Sequence, residues 1–233
     1  MMLQNIHSVN KNNMKDFELK KEKWLKEVAE QCHEFALKTD LDFYCFQTSI
    51  SFNPDILLIG INPGNNGKYS DYLKNNKIEK RKPESLYYSQ NLLIEEANWG
   101  DSLSQVRRKL KEIFFTEQLF CKLTNSVMTN TTFFNTISSQ NLKDLDHEIK
   151  NFCLQKTIEL IDILNPKNII IFTSDTSVLR KIGVKNIQKI GKYTKSGILN
   201  NKLVHSIPHF SARGYNSTEI RNLIGNDLID VLR

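Results

Sequence analysis

No Cys-x-x-Cys pair occurs in this chain; Cys32, Cys45, Cys121 and Cys153 lie far apart. Structural zinc and iron–sulfur sites use short ligand spacings, so neither metal nor cofactor is expected. The four thiols read as free, buried core residues. No apolar run approaches the ~20 residues that span a bilayer. The opening residues Met-Met-Leu-Gln-Asn-Ile-His lack the charged-then-apolar order of a secretory leader. The expectation is a cytoplasmic monomer that stays off membranes. Internal repeats are absent, as are the G-x-G-x-x-G and G-K-S/T nucleotide loops. Acidic residues are missing from a whole stretch: Thr176 to Thr218 holds no Asp or Glu, yet carries Arg180, Lys181, Lys185, Lys189, Lys192, Lys195, Lys202 and Arg213. Such a one-sided charge suits a phosphate backbone. A merely solvated lysine-rich face stays open as an alternative.

What is present describes a globular α/β protein. A hydrophobic fraction of 39% against 25% charged residues excludes a disordered chain. Residues 1–14 are polar and read as a mobile N-terminus, leaving 15–233 as one domain. Lys15 to Lys38 carries an apolar stripe of Trp24, Leu25, Val28, Cys32, Phe35 and Ala36, the spacing of an amphipathic helix. Asp55–Ile61 is a continuous apolar run between Pro54 and Pro63, which fits a strand covered on both faces. Residues 65–82 read as a long loop, and the Leu103 to Phe114 pattern as a second helix. Ser126–Phe134, β-branched and aromatic, predicts a strand. A third helix runs from Asp144 to Leu164 and stops at Asn165-Pro166. Asn168–Phe172 is a short buried strand, and Ser174 is placed to cap the helix after it. Asn200-Asn201 marks a hairpin, and Asn216-Ser-Thr-Glu219 has capping-box spacing before a C-terminal helix. Strands alternating with helices predict a three-layer α/β domain with a mainly parallel central sheet flanked by helices.

Three polar turns follow buried strands, where open α/β sheets bind ligands. In the first, Gly60 and Gly64 let the backbone approach a ligand closely, Pro63 stiffens the turn, and Asn62 offers an amide that can hold a water or a sugar, so Gly60, Ile61, Pro63 and Gly64 are expected to bind substrate. In the second, Asn130 can both donate and accept, as reading the edge of a base requires. In the third, His209 could donate to a developing anion, Ser211 could bind phosphate and Arg213 could reach into a duplex. Each residue also has a plain structural reading as a turn or core residue.

Taken in order, the three segments resemble the uracil-DNA glycosylase superfamily. Gly60-Ile-Asn-Pro-Gly64 is similar to the GINPG motif of its mismatch-specific and single-strand-selective branches. Thr129-Asn130 resembles the strand-end asparagine that contacts the target base, and His209-Phe-Ser-Ala-Arg-Gly214 resembles the closing HPSPRN loop. Phe210 stands where that loop has proline, and neither the GQDPYH carboxylate nor a four-cysteine iron–sulfur set is matched.

The resemblance implies a glycosylase-like fold acting on uracil-containing DNA, single- or double-stranded. Hydrolysis of the N-glycosidic bond follows base flipping. Asn62 would position water, His209 would stabilise the leaving base, and Asn130 would select it. Tyr69 or Tyr72 would stack on it, while Ser211, Arg213, Lys189, Lys192 and Lys195 would hold the strand. Two alternatives remain: a nucleic-acid-binding member of the same fold without catalysis, and an enzyme of free nucleosides or nucleotides.

Overall fold

The computed structural model describes the backbone of residues 2–63, 67–94, 101–136, 141–210, 212 and 214–232, with the side chains of all of these but 2–12, 101–105 and 141. The chain forms two compact units: Met1–Cys45, Asn62–Tyr87 and Thr132–Asn165 make one, and Phe46–Ile61, Tyr88–Thr131 and Pro166–Arg233 the other.

The second unit holds a six-stranded sheet. Its strands are β1 (Ile56–Gly60), β2 (Ser126–Asn130), β3 (Asn168–Phe172), β4 (Lys185–Lys189), β5 (Lys195–Leu199) and β6 (Lys202–Ile207), in the order β2-β1-β3-β6-β5-β4. The first four in that order run parallel, and β5 and β4 add an antiparallel hairpin and its edge strand. The sheet is therefore mixed but mostly parallel, within an α/β fold. β1 and β2 are buried at every position, as continuous apolar runs in parallel sheets are. Helices α3 (Asp101–Ile113), α4 (Glu117–Thr124), α7 (Thr176–Ile182) and α8 (Thr218–Ile229) belong to this unit. Ile56, Leu58, Met128, Ile170, Phe172 and Ile207 of the sheet share one core with Leu110, Ile113, Leu119, Ile224 and Leu228 of the helices.

The first unit is helical: α1 (Met2–Thr39), α2 (Tyr69–Asn76), a 3-10 turn at Pro83–Leu86, α5 (Asn141–Asp144) and α6 (His147–Leu164). Trp24, deep in the apolar stripe of α1, donates its indole N–H to the Lys156 carbonyl of α6 at 2.9 Å. Phe35 meets Phe152 edge-on at 5.7 Å. Asn165 closes α6 in the left-handed region at φ 50°, its N–H on the Ile161 carbonyl, and Pro166 prevents continuation.

Several local expectations are corrected. Residues 65–82 contain α2, because Tyr69 buries its ring and so anchors a helical turn. β2 stops at Asn130 rather than Phe134, since Phe134 bridges Phe43 instead. The third helix breaks between Asp144 and His147, where Asp146 caps α6. Asp175, not Ser174, caps α7, and Ser217 rather than Asn216 caps α8. Cys32, Cys45 and Cys153 are buried as free thiols, but Cys121 is exposed. Among the described residues no helix is long and apolar enough to cross a membrane.

Candidate functional site

Parallel register decides what lies at the carboxyl edge of the sheet. Gly60 pairs with Asn130 at the ends of β1 and β2, and Phe172 pairs with Ile207 at the ends of β3 and β6. His209 follows two residues after β6. β5 runs antiparallel to β6 and starts with Lys195 opposite Ser206, while β4 ends with Lys189 opposite Lys195. The turn between β4 and β5 therefore lies at that same edge. Gly60, Asn130, His209, Lys189, Lys192 and Lys195 thus share one rim of one sheet.

Gly60 and Asn130 are bound by shape. A β-carbon on Gly60 would come within 3.0 Å of the Asn130 Oδ1, nearer than real β-carbons approach, and 3.4 Å from its Cγ. Only glycine leaves room for that amide, which is 1% exposed. Thr131 fastens the corner, its N–H donating to the Gly60 carbonyl at 3.0 Å and its hydroxyl to the Ile61 carbonyl at 3.0 Å. The close backbone approach expected of Gly60 is thus made to Asn130.

His209 is half-buried between rings. Phe210 stacks on it at 4.5 Å and 25°, and Phe172 meets it edge-on at 6.1 Å. Phe210 itself is 2% exposed in the sheet–helix core. An aromatic anchor therefore occupies the position where the resembling loop has a stiffening proline. Burial lowers the imidazole pKa, and the positive charge of Lys109 lowers it further. A neutral imidazole can donate a hydrogen bond to an anion and pay no cost for a buried charge.

Lys109 is the residue that sequence reasoning missed. It lies on α3, outside the acid-free stretch, and reaches the site only because α3 belongs to the core under β6. The Arg107-Arg108-Lys109 run is its signal in the sequence. Arg221 of α8 donates Nε–H to Glu112 of α3 at 2.6 Å, tying the two helices together, and Nη1–H to Asn216 Oδ1 at 3.2 Å. Burial, then Arg221 and Arg108, hold the Lys109 pKa below its usual value.

Of the three rim lysines, Lys195 donates to the Ser174 carbonyl at 2.7 Å and Thr176 Oγ1 at 2.9 Å, whereas Lys189 and Lys192 are exposed.

Asn62, Pro63, Tyr69 and Tyr72 belong to the helical unit. Asn62 donates Nδ2–H to the Thr136 carbonyl at 3.1 Å and to Thr136 Oγ1 at 2.7 Å. A backbone carbonyl only accepts, so the amide orientation is set. The Pro63 carbonyl accepts from the Tyr44 hydroxyl at 3.2 Å. Tyr69 is 1% exposed, its hydroxyl bonded to His33 Nδ1 at 2.8 Å and accepting from the Arg81 N–H at 3.1 Å. Its ring lies 5.4 Å from Phe43 and 6.2 Å from Tyr72. The Arg81 guanidinium covers the Tyr72 ring at 3.5 Å and pairs with Asp42 at 2.6 Å. Both tyrosines are thereby committed to a packed aromatic–cation cluster.

Asn135 lies in the helical unit. It is 1% exposed, and neither its Oδ1 nor its Nδ2 has a hydrogen-bond partner. Nothing in its sequence context separates it from an ordinary polar loop residue. Gly64, Ser211 and Arg213 lie outside the described residues. Among the described residues no His, Cys, Asp and Glu cluster could hold a metal ion. Compared with known proteins, the chain matches no family model and no curated protein.

Proposed function

We propose that this chain is a DNA glycosylase that excises uracil or a related damaged pyrimidine, on a fold of the uracil-DNA glycosylase kind. The observation that carries the reading is the Asn130 amide seated on Gly60, at the same sheet edge as a half-buried His209 and exposed lysines. An amide that can accept and donate suits the edge of a flipped base. The imidazole suits the oxygen of the departing base, where negative charge develops.

In this mechanism the C–N glycosidic bond breaks heterolytically and its electron pair leaves with the base. Water adds to the sugar cation and releases its proton to solvent. His209 donates its N–H hydrogen bond to the base anion without transferring the proton. Asn62, two residues beyond Gly60 in the chain, is given the water by the family resemblance. With its Nδ2 on Thr136, its Oδ1 is the atom that would accept from that water.

The test is base release from single- and double-stranded oligonucleotides carrying uracil, hypoxanthine, xanthine or hydroxymethyluracil. The wild-type protein should release uracil, and His209→Ala should slow release by roughly 10²–10³, the usual loss for one anion-stabilising donor. No release from either form of uracil-containing DNA would falsify the reading. Salt-dependent binding without release, indifferent to His209→Ala, would leave a binding module resting on the rim lysines.

A further inference from the structure

The β4–β5 turn is a built feature rather than a floppy basic loop. Its ends are closed by the Ile190 and Gly191 N–H groups on the Thr194 carbonyl, at 3.0 and 3.3 Å. Asp227 of α8 holds it from beneath, accepting from the Tyr193 N–H at 2.9 Å and the Thr194 hydroxyl at 3.0 Å. Gly191 lies so close to that carboxylate that any β-carbon there would come within 3.0 Å of it. The Asp227 carboxylate thus lies beneath the turn, engaged by its neutral donors, and ties the turn to α8.

On this hydrogen-bonded turn, lysines flank the Tyr193 ring. Tyr193 is half-buried against the core, and Tyr215, in the segment between His209 and α8, meets it at right angles at 5.9 Å. The exposed Lys192 holds its ammonium 5.3 Å from the Tyr193 ring centre. The exposed Lys189 stands at the end of β4, the outermost strand of the sheet. The segment Thr176–Thr218 itself holds no Asp or Glu, and the one carboxylate placed against the turn, Asp227, lies on its Tyr193–Thr194 side.

We infer that this turn and the neighbouring Tyr215 form a docking platform for single-stranded nucleic acid, beside the sheet edge that carries Asn130 and His209. Positive charge tracks phosphates of either form. Ring faces discriminate: bases in a duplex are stacked on one another, whereas a single strand can lay its bases on aromatic side chains. Two half-buried tyrosines beside two exposed lysines match the second case. The inference deepens the proposed function by naming the strand form, and it rests on that reading for nucleic acid as the ligand.

The experiment uses the full chain and fluorescence anisotropy. The probe is a labelled oligothymidylate of about 12 nucleotides, within the usual span of such sites, and its duplex with oligoadenylate. The probe contains no base to excise, so binding is read apart from catalysis. The single strand should bind more tightly than the duplex. Tyr193→Leu and Tyr215→Leu, which keep apolar packing, should each weaken single-strand binding about tenfold, the scale of one lost base–aromatic stack. Their salt dependence should stay unchanged. Lys192→Ala should instead reduce the slope of log affinity against log salt by about 0.7, one phosphate contact on a single strand. Near-UV circular dichroism checks that each variant is folded, and the exposed Lys192 supplies a variant with little folding risk. Duplex binding as tight as single-strand binding, indifference to both tyrosine changes in folded protein, or no binding at all overturns the platform. Single-strand binding without uracil release would sustain it while removing the glycosylase reading. Release from uracil-containing DNA without these tyrosine effects would do the reverse.

Discussion

Replacing Gly60 by alanine tests the geometry that joins the first two turns. The backbone at Gly60 is ordinary strand and is absent from the positive-φ glycines. Conformational strain therefore predicts no penalty, and loss of unfolded-chain entropy alone would stabilise by about 0.4–1 kcal/mol. The added methyl, however, would fall within 3.0 Å of the Asn130 Oδ1. Asn130 is 1% exposed and has little space to yield. Overpacking of a buried site costs about 1–3 kcal/mol. The net expectation is a loss of about 1–2 kcal/mol, or roughly 2–8 °C in Tm for a chain of this size.

A double-mutant cycle isolates the cause. In an Asn130→Ala background the obstacle is gone, so Gly60→Ala should be neutral or mildly stabilising. The two changes should then couple by about 2 kcal/mol. Urea denaturation of the four proteins, followed by far-UV circular dichroism, measures each corner. Should Gly60→Ala be harmless in the wild-type background, or cost the same in both, the Asn130 amide is not what excludes the methyl. On the glycosylase reading, folded Gly60→Ala protein should also release base more slowly, because the amide that reads the base is pushed aside.

Three further outcomes follow from buried groups. His205 is fully buried with Ser196 Oγ 2.7 Å from its Nδ1, and desolvation lowers its pKa from 6.5 to about 4. The folded protein binds its proton later than the unfolded chain, so stability is present above pH 6.5 and falls toward pH 4, by about 3 kcal/mol from this group; urea midpoints across that range should show the acid limb flattened in His205→Phe. Lys109→Ala removes a positive neighbour and should raise the His209 titration midpoint, observable by NMR of the imidazole protons; an unmoved midpoint would separate Lys109 from the site. Asn135→Leu replaces a buried amide with no partner on either end, so it should be neutral or stabilising by about 1–3 kcal/mol in thermal unfolding; clear destabilisation would mean that the amide is satisfied in solution by a bound water.

Elements whose signals are local were legible in the amino-acid order alone. The apolar runs of β1 and β3 fit strands buried on both faces, because short runs of successive apolar residues bounded by turn signals suit that setting. Asn200 and Asn201 adopt φ of 48° and 62°, as a two-residue hairpin requires and asparagine tolerates. Asn165-Pro166 ended α6 for equally local reasons. β4 was not legible, since Lys-Asn-Ile-Gln-Lys is mostly solvent-exposed at a sheet edge and carries no buried pattern. The order of the strands brought Lys189 and Lys195 to the edge of Asn130 and His209, and that order depends on pairings between segments far apart in the chain. Lys109 reached His209 only through helix packing, and Asp227 met the Tyr193 turn only because α8 returns beneath it. Charge, turn chemistry and periodicity are written residue by residue. Proximity across a sheet is set by long-range register, which only the folded chain decides.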